Sequence, residues 1–386
     1  MRKTIGLLFV TCFSMLNLST SPLTAQQYRT YFGTYTTGDS KSKGIYTATF
    51  DSDSGKLSTP VLAAPATNPS FLAIDAKRGL VFAVNEISEG EGRANATVSA
   101  FKVKPDGTLQ FINSQPSHGG APCHCNLDAT GKFLLIANYV GGNLAVYPIA
   151  ADGSLQAASS IINHEGSSID RSRQQGPHAH SINLSSDNRF AYAADLGTDK
   201  IMIYRFDQNA GTLQAASPDS AAVAPGGGPR HFSLHPSGKF AYTNHELTAM
   251  VTGFKRDIQS GGLTSIATIS TLPQDAEVRK STAECLVHPN GQFLYVSNRG
   301  HDSIACYKID QDSGEMALVA ITPTQGQEPR NFFIDPTGKW LLAANQNSDT
   351  IVVFAIDQKL GAITPTENRI EVGRPVCVRM MVPVAD

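Results

Sequence analysis

Gly228-Pro229-Arg230-His231-Phe232-Ser233-Leu234-His235-Pro236-Ser237-Gly238-Lys239-Phe240-Ala241-Tyr242 is the stretch that decides how the rest of the chain is read. A proline marks the start of an apolar strand, a small polar turn follows at Pro236-Ser237-Gly238, and a second apolar strand begins at Phe240. The phrase returns as Glu328-Pro329-Arg330-Asn331-Phe332-Phe333-Ile334-Asp335-Pro336-Thr337-Gly338-Lys339-Trp340. Weaker copies recur at intervals of roughly fifty residues, marked by Pro69, Pro122, Pro177, Thr282 and Pro375. Repeats of that length, made of strands and turns, stack as the blades of a β-propeller.

Working outward from the markers, each of the first six copies supplies a second strand, such as Leu80–Val84, Phe190–Ala194 or Phe293–Ser297. A third follows, such as Val98–Val103, Ile201–Phe206 or Ile351–Ile356, and a glycine turn opens a fourth, as at Gly153-Ser154-Leu155 and Gly211-Thr212-Leu213. Four antiparallel strands make one blade. After Pro375 only one strand remains, and the missing strands stand at the other end of the chain: Arg29–Thr34, Gly44–Phe50 and Lys56–Ala63. A blade closed by both termini removes the exposed strand edges of an open ring. The expected fold is therefore all-β, a single seven-bladed propeller over residues 26–386.

Residues 1–25 read differently. Arg2 and Lys3 precede an apolar run from Ile5 to Leu18, and Leu23-Thr24-Ala25 offers a small-residue cleavage site. That is the layout of a secretory leader, with a periplasmic or secreted mature chain. No second apolar run is long enough to cross a bilayer, so no membrane insertion of the mature chain is expected. The formal charge of −2 over 386 residues leaves no basic stripe for nucleic acid. Beyond Cys12 in the leader, Cys123, Cys125, Cys285, Cys306 and Cys377 form an odd set, which excludes a fully paired disulfide framework. In a strand, Cys123 and Cys125 face one side and His124 the other, so these three do not make a metal site.

In a propeller the start of the first strand and the end of the second share one mouth of the axial channel. Immediately after the markers come Ser70, Cys123, His178, Arg230, Ala283, Arg330 and Val376; one position further come Phe71, His124, Ala179, His231, Glu284, Asn331 and Cys377. The second strands run out at Asn85-Glu86, Asn138-Tyr139, Asp195-Leu196, His245-Glu246, Asn298-Arg299 and Asn345-Gln346. Histidine, arginine and glutamate gather in the blades starting at Pro177, Pro229, Thr282 and Pro329. The recurrent asparagine at the strand ends reads as turn chemistry satisfying its own backbone. His178 and His180 stand on one face, which suits a metal pair, a catalytic or binding pair, or a structural role. His235 and His288, each before proline, read as turn residues at the opposite end of the blades. The Ser-, Arg- and Gln-rich insertion from Ile161 to Gln175 reads as a lid or a solvated loop.

No Gly-x-Ser-x-Gly elbow is present, which argues against a serine nucleophile. No glycine-rich strand-to-helix fingerprint is present, which argues against a nucleotide cofactor. Gly228-Pro229-Arg230-His231 with Asn244-His245-Glu246-Leu247, Pro177-His178-Ala179-His180-Ser181 with Asp187-Asn188-Arg189, and Asn298-Arg299 together resemble the 6-phosphogluconolactonase family of seven-bladed propellers, which is related to the fungal carboxy-muconate cyclases. The likeness spans about residues 28–382. It implies a catalytic set of His180, Arg230, Glu246 and Arg299; His178, His231, Arg330 and Glu86 are the residues expected to bind the substrate beside it, in a scheme that requires no metal or other cofactor. The implied reaction is hydrolysis of a sugar lactone, and a monomer is the expected state. His180 or Glu246 would assist the attacking water, and Arg230 and Arg299 would meet the oxyanion. A phosphorylated sugar lactone is a cytosolic metabolite, whereas this chain carries an export leader. Three alternatives stand beside this reading: a muconate-type cycloisomerase, a lactonase with a channel metal held by Glu86, Asn138, Asp195 or Asn298, and a non-catalytic binding propeller.

Overall fold

The computed structural model describes residues 26–88 and 96–382. The expected leader lies outside the described residues. Six blades run Pro69–Pro116 (I), Pro122–Asn163 (II), Ala179–Ala222 (III), Pro229–Ser270 (IV), Thr282–Pro323 (V) and Pro329–Glu371 (VI), each a four-stranded antiparallel sheet in sequence order. Blade VII takes its inner strand from Pro375–Met381 and its others from Gln27–Thr34, Gly44–Asp51 and an outer strand in two pieces, Lys56–Leu57 and Val61–Pro65. Pro60, with no N–H to give the ladder, stands in the break. The seven inner strands touch one another in turn, and blade VII touches blade I, so the ring is closed.

In blades I to V the second strand is buried on both faces along its whole length, and the middle of the third strand is mostly apolar and buried, because each sheet packs between two others. The blades are also joined at the rim. Tyr242 of blade IV donates to Gly314 O of blade V at 3.0 Å, and a Cβ on Gly314 would stand 2.4 Å from the Phe240 ring. Gly314 has φ +77°, a conformation glycine adopts without strain. The same joint recurs between blades III and IV, where Tyr192 donates to Gly261 O at 2.9 Å and Gly261 lies on Phe190. Blade VI meets blade VII through Trp340, whose ring lies over Gly55 and whose indole N–H donates to Ser52 O at 2.7 Å.

Three expectations are corrected. In blade II the fourth strand is Ser160–Asn163; Leu155 makes only an isolated bridge to Ile149. The strand-end asparagines do not satisfy their own backbone: Asn138, Asn298 and Asn345 meet a side chain across their hairpins, and their main task lies in the preceding connection. Asn85, Asn138, Asn298 and Asn345 donate through Nδ2 to Thr67, Ser117, Thr271 and Thr324 O, tying down the connection that enters the blade. Finally, the marker in blade III is not Pro177. Ala179 pairs with Asp195 as Pro229 pairs with His245, so Pro177 belongs to the connection and the strand begins two residues later. His235 and His288 do sit in the hairpin turns, and each reaches a carbonyl in the next blade, Gly291 O and Gly338 O, at 2.8 Å.

Candidate active site

The shifted register in blade III decides which histidine faces the axis. His180, not His178, occupies the position held by Arg230 in blade IV and Arg330 in blade VI. The exit positions bring Glu86, Tyr139, Glu246 and Arg299 to the same mouth, and together these groups line a cleft of about 220 Å³ with Cys123 and Arg173.

Glu246 is the hub. Its Oε2 accepts from Arg230 Nε at 3.0 Å and pairs with Arg299 Nη2 at 3.0 Å; its Oε1 accepts from Arg173 Nη2 at 2.7 Å. His180 Nε2 lies 3.8 Å from Oε2. Burial alone would raise the Glu246 carboxyl, but the Arg299, Arg230 and Arg173 guanidinium groups hold it well below the usual carboxylate range. It is a carboxylate at every neutral pH. For His180, burial and then Arg230 push the imidazole well below its ordinary value, so it is neutral. Its Nδ1 lies 3.5 Å from Cys123 Sγ. Burial raises the Cys123 thiol, which keeps it protonated and unsuited to nucleophilic attack.

Behind this hub a buried relay fixes Arg230. Its Nη1 contacts His231 Nε2 at 3.0 Å and donates to Ala283 O at 2.9 Å. His231 Nδ1 meets Glu284 Oε1 at 2.5 Å, and Asn331 donates to the other Glu284 oxygen. Arg230 and His231, neighbours in sequence, both stay on the channel side because a bulge between Pro229 and Phe232 breaks the strand's alternation. On the opposite wall, Arg330 lies over the Tyr35 ring at 5.2 Å, and Tyr35 donates to Glu86 at 3.0 Å. Among the described residues Arg330 forms no ion pair, which leaves it the cation free for a ligand.

The structure therefore brings His180, Arg230, Glu246, Arg299, Arg330 and Glu86 to one mouth. His231 lies one layer deeper with both ring nitrogens engaged. His178 precedes the strand, donates to Tyr139 O at 2.8 Å and stacks on the Tyr139 ring at 4.5 Å. Arg173 was not singled out from the sequence. It is carried by the insertion between blades II and III, which Asp199 anchors by accepting from Ser168 Oγ at 2.5 Å and Gln174 Nε2 at 2.8 Å. The same carboxylate accepts from Gly228 N at 2.7 Å, two residues before Arg230. The insertion is thus a fixed cover over one side of the cleft, with Arg173 as its reach. No group of three or more His, Cys, Asp or Glu side chains is placed to hold a metal among the described residues.

Residues 29–380 match the family described as lactonase, 7-bladed beta-propeller. The chain belongs to that family. It is 36% identical over 356 residues to the 6-phosphogluconolactonase of Bacillus subtilis, covering 92% of this chain and 99% of that one. A 6-phosphogluconolactonase of Formosa agariphila is 32% identical over 76% of this chain and 82% of its own. Among solved structures, the Pseudomonas aeruginosa periplasmic gluconolactonase superposes with a TM-score of 0.86 at 33% identity, over 93% of this chain and 100% of that chain. Members of the lactonase family hydrolyse a cyclic ester, and this chain has the family's ring over nearly its full length. No helix among its described residues is long and apolar enough to cross a membrane.

Proposed function

We propose that this lactonase hydrolyses a sugar lactone in the cleft around Glu246, outside the cytoplasm. The observation that carries the reading is the convergence of three arginines and a neutral histidine on one buried carboxylate, Glu246, at a single small cleft. A water adds to the lactone carbonyl carbon and gives its proton to His180. Glu246 is a weak base, since its oxygens already serve three guanidinium groups; its charge instead stabilises the imidazolium that forms 3.8 Å away. Arg230 and Arg299, held by Glu246, supply fixed positive charge where the oxyanion develops. Collapse breaks the ring C–O bond, and the proton on His180 returns to the departing alkoxide. The product is an open-chain hydroxy acid.

His231 and Glu284 position Arg230 rather than touch the substrate, and His178 positions Tyr139. Arg330 and Arg173 take the substrate's polar or anionic groups, a task suited to the planar fork of guanidinium. The export leader favours an unphosphorylated aldonolactone. Assaying residues 26–386 against phosphorylated and unphosphorylated aldonolactones, with Arg230→Ala beside the parent, tests the assignment. Hydrolysis that Arg230→Ala lowers by two or more orders of magnitude is expected. Equal rates for the two proteins would place the chemistry elsewhere.

A further inference from the structure

The axial channel has a second mouth, on the face away from the cleft. The two are separated by a plug of three rings: Phe71 and His124 lie 4.2 Å apart, His124 and His231 5.4 Å, and Phe71 and His231 5.8 Å. The throat on the cleft side of the plug holds only about 10 Å³. Beyond it opens a separate cavity of about 230 Å³, whose polar lining is His124, Asn126, Asn183 and Arg379.

That lining carries one guanidinium and no carboxylate; its side-chain acceptors are the amide oxygens of Asn126 and Asn183 and the unprotonated ring nitrogen of His124. The Arg379 guanidinium lies 4.4 Å from the centre of the Phe71 ring and 5.8 Å from that of Phe333, so two aromatic faces fix its position. Among the described residues it forms no ion pair and donates only to Val378 O, at 2.7 Å. Glu284, the acid whose charge it feels, has its oxygens committed to His231, Asn331 and the Cys285 N–H. Asn183 uses its oxygen to accept from Asn126 at 3.3 Å, while its Nδ2 is buried with no partner at all. His124 accepts from Ile182 N through Nδ1 at 3.3 Å, which puts the proton of the neutral ring on Nε2. A buried donor left without an acceptor, as Asn183 Nδ2 is, costs about 1–3 kcal/mol.

We propose that this second mouth is a binding site for a small oxyanion, a carboxylate or a phosphate, held by Arg379 and the Asn183 amide and distinct from the reaction cleft. Phe71, Leu72 and Phe333 supply an apolar wall, which suits a compact anion with a short carbon skeleton better than a bare halide.

Titration calorimetry of residues 26–386 with inorganic phosphate, and separately with acetate, tests the site and tells the two anion chemistries apart. Because the cleft also carries cations, Arg330→Gln is run alongside to mark binding there. The expected result is an isotherm for at least one anion that Arg379→Gln weakens tenfold or more and Arg330→Gln leaves in place, with lactone turnover by Arg379→Gln unchanged. Asn183→Asp, which sets a fixed carboxylate in the lining while keeping Arg379, is expected to weaken the same isotherm. If Arg379→Gln does not fold, Asn183→Asp alone decides. Binding that Asn183→Asp leaves at the parent affinity, or that disappears only with Arg330→Gln, overturns the proposal.

Discussion

At the rim, Gly314 sits on Phe240 as Gly261 sits on Phe190 and Gly361 on Phe293; at the axis, the equivalent position runs Ser70, Cys123, His180, Arg230, Ala283, Arg330 and Val376. One repeat is being read at two radii. The outer joint is held to one form, a positive-φ glycine laid on a side chain of the neighbouring sheet, because every blade meets its neighbour in the same way; the partner is an aromatic ring at most joints, Leu80 at Gly153 and Arg29 at Gly107. The inner position meets no such demand: it faces a space shared by all seven blades, so it can differ from blade to blade. Sameness within this chain marks what holds the ring, and difference marks what the ring holds.

The largest expected effect breaks the inner set. Glu246→Gln removes the charge that three arginines share, and kcat/KM for the hydrolysed lactone is expected to fall by about a thousandfold or more, at the scale of losing a key electrostatic group. Leaving buried guanidinium groups uncompensated also costs on the order of 3–5 kcal/mol, so thermal unfolding moves down with it. The contrasting variant is at the rim. Gly314→Ala combines a positive φ with a Cβ 2.4 Å from Phe240; a loss of about 2–3 kcal/mol is expected in denaturant unfolding, with kcat/KM of the folded fraction unchanged. A rim variant that alters chemistry without altering stability would dissolve the distinction between the two radii.

Acid sharpens the comparison further. Burial pushes His124, His180 and His231 down, and pulls His245 down to about 4. In the unfolded chain these rings protonate below about 6.5 while the folded chain resists, so the unfolded state binds more protons and stability is lost as pH falls. Each such ring contributes about 1.4 kcal/mol per pH unit between 6.5 and its folded value. Melting temperature is expected to be flat above pH 7 and to drop steeply from pH 6 to 4.5. Over pH 6.5–8, kcat/KM corrected for spontaneous hydrolysis is expected to show no acid limb; a limb centred at 6.5 or above would remove His180 from the role of base. A smaller effect is expected for Arg173→Ala, whose partner keeps two other arginines: roughly tenfold in kcat/KM, with unfolding shifted by less than about 1 kcal/mol because the side chain is partly exposed. Asn298→Ala sits at the bottom of the scale for turnover. It removes the buried bonds to Thr271 O and from Thr271 Oγ1 and costs about 1–3 kcal/mol in stability, with turnover of the folded protein little changed.

Most of the architecture was legible because a strand, a turn and a proline recur in a fixed relation, and each copy corrects the reading of the others. Legibility failed where that relation was mimicked. Gly176-Pro177 looks like Gly228-Pro229, but it lies in the connection, and only the pairing of Ala179 with Asp195 reveals the two-residue offset. The inner ring was readable as a set of positions, which is why Arg230, Glu246, Arg299, Arg330 and Glu86 share a mouth as expected. Depth was not readable. Whether His231 faces the cleft or supports Arg230 depends on a local bulge, which periodicity does not encode. Arg173 was invisible for a different reason: it comes from an insertion outside the repeat, and its reach to Glu246 depends on how Asp199 anchors the loop.

The composite blade carries a kinetic consequence. Arg29 pairs with Met381 across roughly 350 residues of intervening chain, the longest sequence separation in the ladder network. Contacts that distant repay their loop entropy last, so the circle shuts only after the other blades have formed. Until then the Gln27–Thr34 edge and the Pro375–Met381 strand stay unpaired, and a folding intermediate of this protein would expose both at once.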